Sequence, residues 1–296
     1  MKKLLAAALS AVLAVGLLAG CGSKGSGDGS GDGASDAGSS AKTAQVIDVD
    51  LTDEEYAFGV DKTQPELLEQ VNAFISKIKE DGTLDEIFDK YFGDGEPTAV
   101  KSAALDESKD QLVVATNAAF EPFEYMQGDS YVGIDMEIAS LLAEELGKEL
   151  VIQNMDFDAV CLSVGQQKCD IAMAGLTVSE ERKEYVTFSD TYYQASQRLI
   201  VPSGDTVFAD MTDAEEIAAA LAELDSSVKI GVQQGTTGNS YVEGSEDLGF
   251  PGLEATCQTY KSGSLAVQDM LNGNIDYVII DAAPAAAITE AINAMQ

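Results

Sequence analysis

Arginine occurs at only two of 296 positions, 182 and 198, among 17 basic and 51 acidic side chains. A planar guanidinium can hold a carboxylate through two parallel hydrogen bonds, so Arg182 could fix the anionic end of a small ligand. Its setting, Glu180-Glu181-Arg182-Lys183, is equally that of a surface arginine neutralised by helix-start acids. Asp281 ends an apolar run over 277–280, at the carboxyl end of a strand, where α/β sheets place ligand groups. A carboxylate there can hold a cation, cap the helix that follows, or do both. Thr237 and Gly238 lie in a Gly/Thr turn that opens toward a helix, so their backbone N–H groups can point at an anion. An ordinary turn has the same composition. Phe120 and Phe157 follow strand ends, as ligand-facing rings or as core.

Other chemistry is excluded by composition. Histidine is absent, which removes the Ser-His-Asp triad, the Cys-His pair and His-ligated zinc. A net charge of −34 repels phosphate backbones, so no nucleic-acid partner is expected. Cys161, Cys169 and Cys257 have no CxxC spacing, and buried small apolar roles are expected for them. No metal or cofactor is expected.

The first twenty residues carry Lys2 and Lys3 followed by an apolar stretch over 4–18, a leader too short to span a bilayer as a standard helix. Leu18-Ala19-Gly20-Cys21 resembles the bacterial lipobox, which implies acylation of Cys21 and a lipid-anchored, extracytoplasmic protein, at the cell surface or in the periplasm. Residues 21–44, mostly Gly, Ser, Asp and Ala, read as a flexible tether.

Strands and helices then alternate. Strands are expected over 112–116, 150–153, 170–174 and 197–201, with helices over 134–146 and 157–164 between them. A second series has helices over 213–224, 264–271 and 283–295, and strands over 228–232 and 277–280. This spacing predicts two α/β lobes with parallel sheets and helices on both faces. The first part differs: strands over 46–49 and 56–60, a helix over 65–79 and a short helix over 83–92. These strands have no partner nearby, so the segment must pack onto something else. Residues 94–111 are polar and acidic, a linker.

Residues 112–201 strongly resemble the family 3 solute-binding proteins, the amino-acid receptors of ABC importers. The carrying residues are Ala115-Thr116-Asn117-Ala118-Ala119-Phe120-Glu121-Pro122-Phe123, Gly133-Ile134-Asp135-Met136-Glu137-Ile138 and Met155-Asp156-Phe157. They continue with Ala174-Gly175-Leu176-Thr177, Arg182 five residues on, and Phe188-Ser189-Asp190-Thr191-Tyr192-Tyr193. Gly231 to Gly238 and Gly273-Asn274-Ile275-Asp276-Tyr277-Val278-Ile279-Ile280-Asp281 extend it. The family's return strand and last two helices are missing after residue 296, yet segments resembling them stand at 52–60 and 65–93.

The resemblance therefore implies a two-lobed type II periplasmic-binding-protein-like (Venus flytrap) α/β fold, circularly permuted. Lobe 1 is expected over 57–93 and 112–200, lobe 2 over 45–56 and 203–296, with 94–111 as the permutation linker. At about 3.3 Å per residue that linker can span up to roughly 60 Å. A fused fragment of a second receptor, or exchange of the segment between chains, is the rival reading.

It also implies site roles. Arg182 and Thr177 take the ligand's carboxylate with the Thr237 turn, while Asp281 and the Gly175 carbonyl take its ammonium. Ala174, Gln233, Phe120, Phe157 and Asn117 complete the set. Asn117 stands where relatives that bind cationic side chains often carry an acid. Its amide favours a polar, uncharged side chain or a water-mediated contact. That weakens a lysine or arginine reading without removing it, since Glu121 lies nearby. The implied protein is a monomeric receptor, not an enzyme, that closes about a hinge on a polar L-amino acid and delivers it to ABC permease subunits. The hinge crossovers are expected near 56–61 and 197–203. A sensor acting on a signalling partner, or a dehydratase using Glu121, are the alternatives.

Overall fold

Two five-stranded sheets organise the described residues, 42–93 and 95–295, of the computed structural model. The leader, Cys21 and residues 21–41 of the tether lie outside them. The chain begins with β1 (Ala44–Val46), β2 (Glu54–Asp61), α1 (Pro65–Glu80) and α2 (Thr83–Phe92). It continues through β3 (Gln111–Thr116), β4 (Ala119–Phe120), β5 (Glu124–Gln127), β6 (Ser130–Val132), α3 (Ile134–Glu145) and β7 (Glu149–Asn154). Next come α4 (Phe157–Gly165), β8 (Ile171–Ala172), α5 (Glu180–Lys183), β9 (Val186–Ala195) and β10 (Gln197–Pro202). The remainder is α6 (Ala214–Ala222), β11 (Lys229–Gln233), α7 (Thr237–Glu243), β12 (Thr256–Tyr260), α8 (Gly263–Asn272), β13 (Tyr277–Asp281) and α9 (Ala282–Asn293).

The first sheet has the order β7-β3-β8-β2-β9 and the second β1-β10-β13-β11-β12, with a small β4-β5-β6 sheet beside the first. The expected parallel sheets are mixed. β3 runs parallel to β7 and β8, and β11 parallel to β12 and β13, but β2, β9 and β10 pair antiparallel. The antiparallel strands flank the two connections between sheets. Each connection delivers its strand from the other sheet, with the direction reversed.

The early segment finds its partners here. β1 pairs with β10, and β2 lies between β8 and β9, where Tyr56, Ala57, Phe58 and Val60 are fully buried. The α1 helix starts at Pro65, whose missing N–H is harmless in a first turn, and buries Leu67, Val71, Phe74, Ile75 and Ile78. Asn293 at the end of α9 meets the start of β1: its side chain accepts from the Ala44 N–H and donates to the Ala44 carbonyl, both at 2.9 Å.

Three boundaries depart from expectation. The strand expected over 46–49 is instead β1, because past Val46 the backbone bonds to Leu199 and Gln197 outside a regular ladder. Glu54–Tyr56 already pair with β9 and Gln197–Pro202 with the second sheet, so the crossovers fall at 47–53 and at Ser196. The linker is docked along the first lobe: Val100 exchanges two backbone hydrogen bonds with Tyr131, and Ala103 donates to Leu150. Gly133 opens α3 at φ +129°, and a Cβ there would lie 2.2 Å from the Phe123 carbonyl. Only glycine fits that approach.

Candidate ligand-binding site

Asp281 ends β13 at the N-cap position of α9, yet its side chain makes no capping hydrogen bond. Of the two roles open in the sequence, the structure removes the side-chain cap. The carboxylate turns inward, is 4% exposed, and accepts the Tyr56 hydroxyl at 2.5 Å. No lysine or arginine among the described residues is paired with it. Burial, with the Glu54 charge added, raises its pKa to about 7, against the hydrogen bonds it receives. Asp135, buried under Tyr192 and the Gly175 N–H at 2.6 and 2.9 Å, is also raised to about 7, again mainly by burial.

Arg182 lies in α5, whose N-cap Ser179 accepts from the Arg182 N–H. Its Nη1 donates to the Thr177 carbonyl at 2.7 Å and its Nη2 crosses the cleft to the Gly235 carbonyl at 3.1 Å. The guanidinium lies 5.2 Å above the Phe157 ring, a cation–π arrangement that steadies it. Arg198, the other arginine, is taken up by Asp48 and Asp50.

The cleft is bridged elsewhere as well. Gln233 on β11 donates to Asn117 Oδ1 at 3.0 Å, and Asn117 donates to the Met155 carbonyl at 2.6 Å. Gln234 reaches Asp158, and Lys261 reaches Asp156. Thr237 is buried as the first residue of α7, a seven-residue helix capped by Thr236. Gly238 must be glycine, since a Cβ would lie 2.8 Å from the Ile279 carbonyl. Ala174 and Gly175 are buried at the end of the β8 loop, with Gly175 against the Phe120 ring.

Not all of the expected set converges. Arg182 and Phe157 line a cavity of about 170 Å³, whereas Asp281 lines another of about 150 Å³ with Tyr56, Tyr193 and Arg198. Phe120 and Phe157 have different partners: Phe120 packs on Phe123, and Phe157 carries Arg182. What joins the two ends is Glu54. Its carboxylate accepts from Thr177 Oγ1 at 2.6 Å, Thr52 Oγ1 at 2.6 Å and Gln197 Nε2 at 3.1 Å. Sequence reasoning missed Glu54, Tyr56 and Gln197. The alternation of Glu54 and Tyr56 on one face of β2 is visible in the sequence, but Gln197 lies in β10 and the partner of Tyr56 is 225 positions away.

The profile of the bacterial extracellular solute-binding proteins, family 3, matches residues 10–94 and 112–284. The chain belongs to this family. Among curated relatives, the arginine-binding extracellular protein ArtP of Bacillus subtilis (strain 168) is 37% identical over 112 residues, 38% of this chain and 44% of ArtP. The probable histidine-binding protein of Neisseria gonorrhoeae is 28% identical over 57% of this chain and 58% of its own. This family 3 chain thus spans about half the length of these relatives.

Among solved structures, an ancestral arginine-binding protein bound to arginine matches with a TM-score of 0.52 and 30% identity, over 62% of this chain and 75% of its own. The ancestral amino acid-binding protein AncCDT-1, a precursor of cyclohexadienyl dehydratase, matches at 0.51 and 28%, over 71% and 78%. The mixed two-lobed α/β fold is that of these neighbours. Among the described residues no helix is long and apolar enough to cross a membrane.

Proposed function

We propose that this family 3 protein binds a polar L-amino acid between its lobes and, tethered to the membrane through a lipid on Cys21, hands it to the permease of an ABC importer. One observation carries the reading: a buried carboxylate, Asp281, has no cationic partner among the described residues, while Arg182 from the opposite lobe keeps N–H donors beyond the two it uses. A zwitterion supplies the missing cation and takes up those donors. Each lobe supplies half of the contacts, so the ligand favours the closed state. Relatives named for arginine and histidine binding support an amino acid as ligand.

A circular permutation is part of the proposal. It is supported by the family match in two blocks separated by 95–111, by β2 filling an interior place in the first sheet, and by Asn293 gripping Ala44. Direct joining of 293 to 44 would give the uninterrupted order. The dehydratase alternative has less support. Glu121 lines a separate cavity with Glu290, and burial and that neighbouring charge raise its pKa.

A thermal-shift panel of the twenty L-amino acids and cystine, with sugars and oligopeptides as controls, tests the reading. At 100 times Kd a ligand adds about 2.7 kcal/mol, which for a domain of this size is a Tm rise of roughly 5–10 °C. At least one polar amino acid is expected to give it. Stabilisation by sugars or oligopeptides alone overturns the assignment.

A further inference from the structure

Two contacts join the lobes outside the set expected to touch an amino acid. Lys261 Nζ meets Asp156 Oδ2 at 2.7 Å, and Gln234 Nε2 donates to Asp158 Oδ2 at 2.9 Å. Asp156 and Asp158 open α4 directly after β7, whereas Gln234 and Lys261 follow β11 and β12. β7 is the edge of the first sheet, on the far side from the β2 and β9 that meet the crossovers. β12 is likewise the edge of the second sheet, three places from β10. The contacts therefore lie far from the hinge, where a small rotation gives the largest displacement. Arg198 with Asp48 and Asp50 sits at the crossovers instead, so Lys261–Asp156 is the salt bridge among the described residues that reports on closure.

Local structure fixes both sides of this contact. Asp156 is the N-cap residue of α4, yet its side chain makes no capping hydrogen bond. The carboxylate turns across to the other lobe. Asp156 and Asp158 flank Phe157, the ring that carries Arg182. On the facing lobe the Gln234 N–H donates to the Tyr260 carbonyl at 2.9 Å, which ties the ends of β11 and β12 together and sets Gln234 beside Lys261. The pKa of Lys261 is raised by its hydrogen bond to Asp156, by the charge of that carboxylate and, less, by Asp158.

We propose that Asp156, Asp158, Gln234 and Lys261 form a latch that holds the lobes together without touching the bound amino acid, so that its charges set how fast the amino acid is released. This rests on the hinge-closure reading and deepens it. Deleting one member of an exposed ion pair has little effect. Reversing a charge has more, because Lys261→Glu sets a third carboxylate against Asp156 and Asp158.

Stopped-flow dissociation of L-arginine and L-glutamine from the full chain tests it, at about 0.1 M and about 1 M salt, where the Debye length falls from about 10 Å to about 3 Å. At the lower salt Lys261→Glu is expected to release whichever probe binds about fivefold faster or more, and at the higher salt less than about twofold faster. Adding Asp156→Lys, which restores the pair with its charges exchanged, is expected to bring release back to within about twofold of wild type. A purely structural role for Lys261 would not be rescued in this way. Release unchanged in Lys261→Glu, or not restored by the exchange, overturns the latch and leaves amino-acid binding standing. If wild type binds neither probe, the latch is decided without ligand. A Cβ on Gly235 would lie 3.2 Å from the Asp158 Cβ, close to the separation a disulfide spans. The Asp158→Cys/Gly235→Cys chain, equilibrated with glutathione, is expected to form that disulfide about fivefold less readily once Lys261→Glu is added. An unchanged equilibrium overturns the latch.

Discussion

A chain that starts at residue 95 is expected to remain unfolded. Without β2, the first sheet loses the strand between β8 and β9, and the two-residue β8 becomes an edge with nothing to cover it. Tyr56, Ala57, Phe58 and Val60 leave the core, followed by the apolar faces of α1 and α2. Each large side chain lost is worth about 2–5 kcal/mol, against a total stability of about 5–15 kcal/mol. Circular dichroism and a denaturant titration should show no cooperative transition. A cooperatively folded fragment that binds ligand would mean that 42–93 is an accessory segment, and the permuted order would fall with it.

The second large effect is expected at Asp281, where stability and binding should move in opposite directions. The carboxyl titrates near 7 in the folded protein and near 4 when unfolded. Between those values the folded state binds a proton that the unfolded chain does not, so stability falls as pH rises from about 4 to about 7 and is level above. The shift is worth at most about 4 kcal/mol. Asp281→Asn removes the charge while keeping an oxygen for the Tyr56 hydroxyl. The ligand-free variant should therefore be several degrees more stable than wild type at pH 8 and nearly equal at pH 4. Its pH slope should be shallower but not flat, since Asp135 titrates in the same range. Amino-acid binding should drop at least 100-fold, as expected when a buried charge pair loses one partner. Urea unfolding at several pH values, with calorimetry, checks both halves. An Asp281→Asn protein less stable than wild type at pH 8 would show that the buried charge is already compensated.

Much of the fold was legible because its helices advertise themselves. The apolar stripe of α1 and the Gly133 that opens α3 are local signals, and both elements lie where periodicity put them. β9 was not found, because Val186–Ala195 carries polar residues on both faces and draws its order from pairing along its length with β2. β12 reads Thr-Cys-Gln-Thr-Tyr, a largely exposed edge strand with almost no apolar signal. The hairpin strands β4 to β6 are two to four residues long, below what alternation can reveal.

The site divides along the same line. Thr177 and Arg182 are marked by their place in segments that resemble the family, and Asp281 also by its position at the end of an apolar strand. Glu54 and Tyr56 sit in a strand whose sequence says only that it is buried, and their contacts to Thr177 and Asp281 span 123 and 225 positions. The orientation of Gln233, with Nε2 toward Asn117, was likewise invisible, because it is set by a backbone carbonyl at Met155 two contacts away.

In the proposed function the cleft reads both ends of an α-amino acid, with Arg182 on the carboxylate and Asp281 on the ammonium. Calorimetric titration compares the best-stabilising amino acid with its α-carboxamide, which lacks the anion, and its deaminated acid, which lacks the cation. Each omission should weaken binding at least 100-fold, a loss of about 2.7 kcal/mol or more. A deaminated acid that binds as tightly as the parent amino acid would show that Asp281 does not hold the ligand's ammonium.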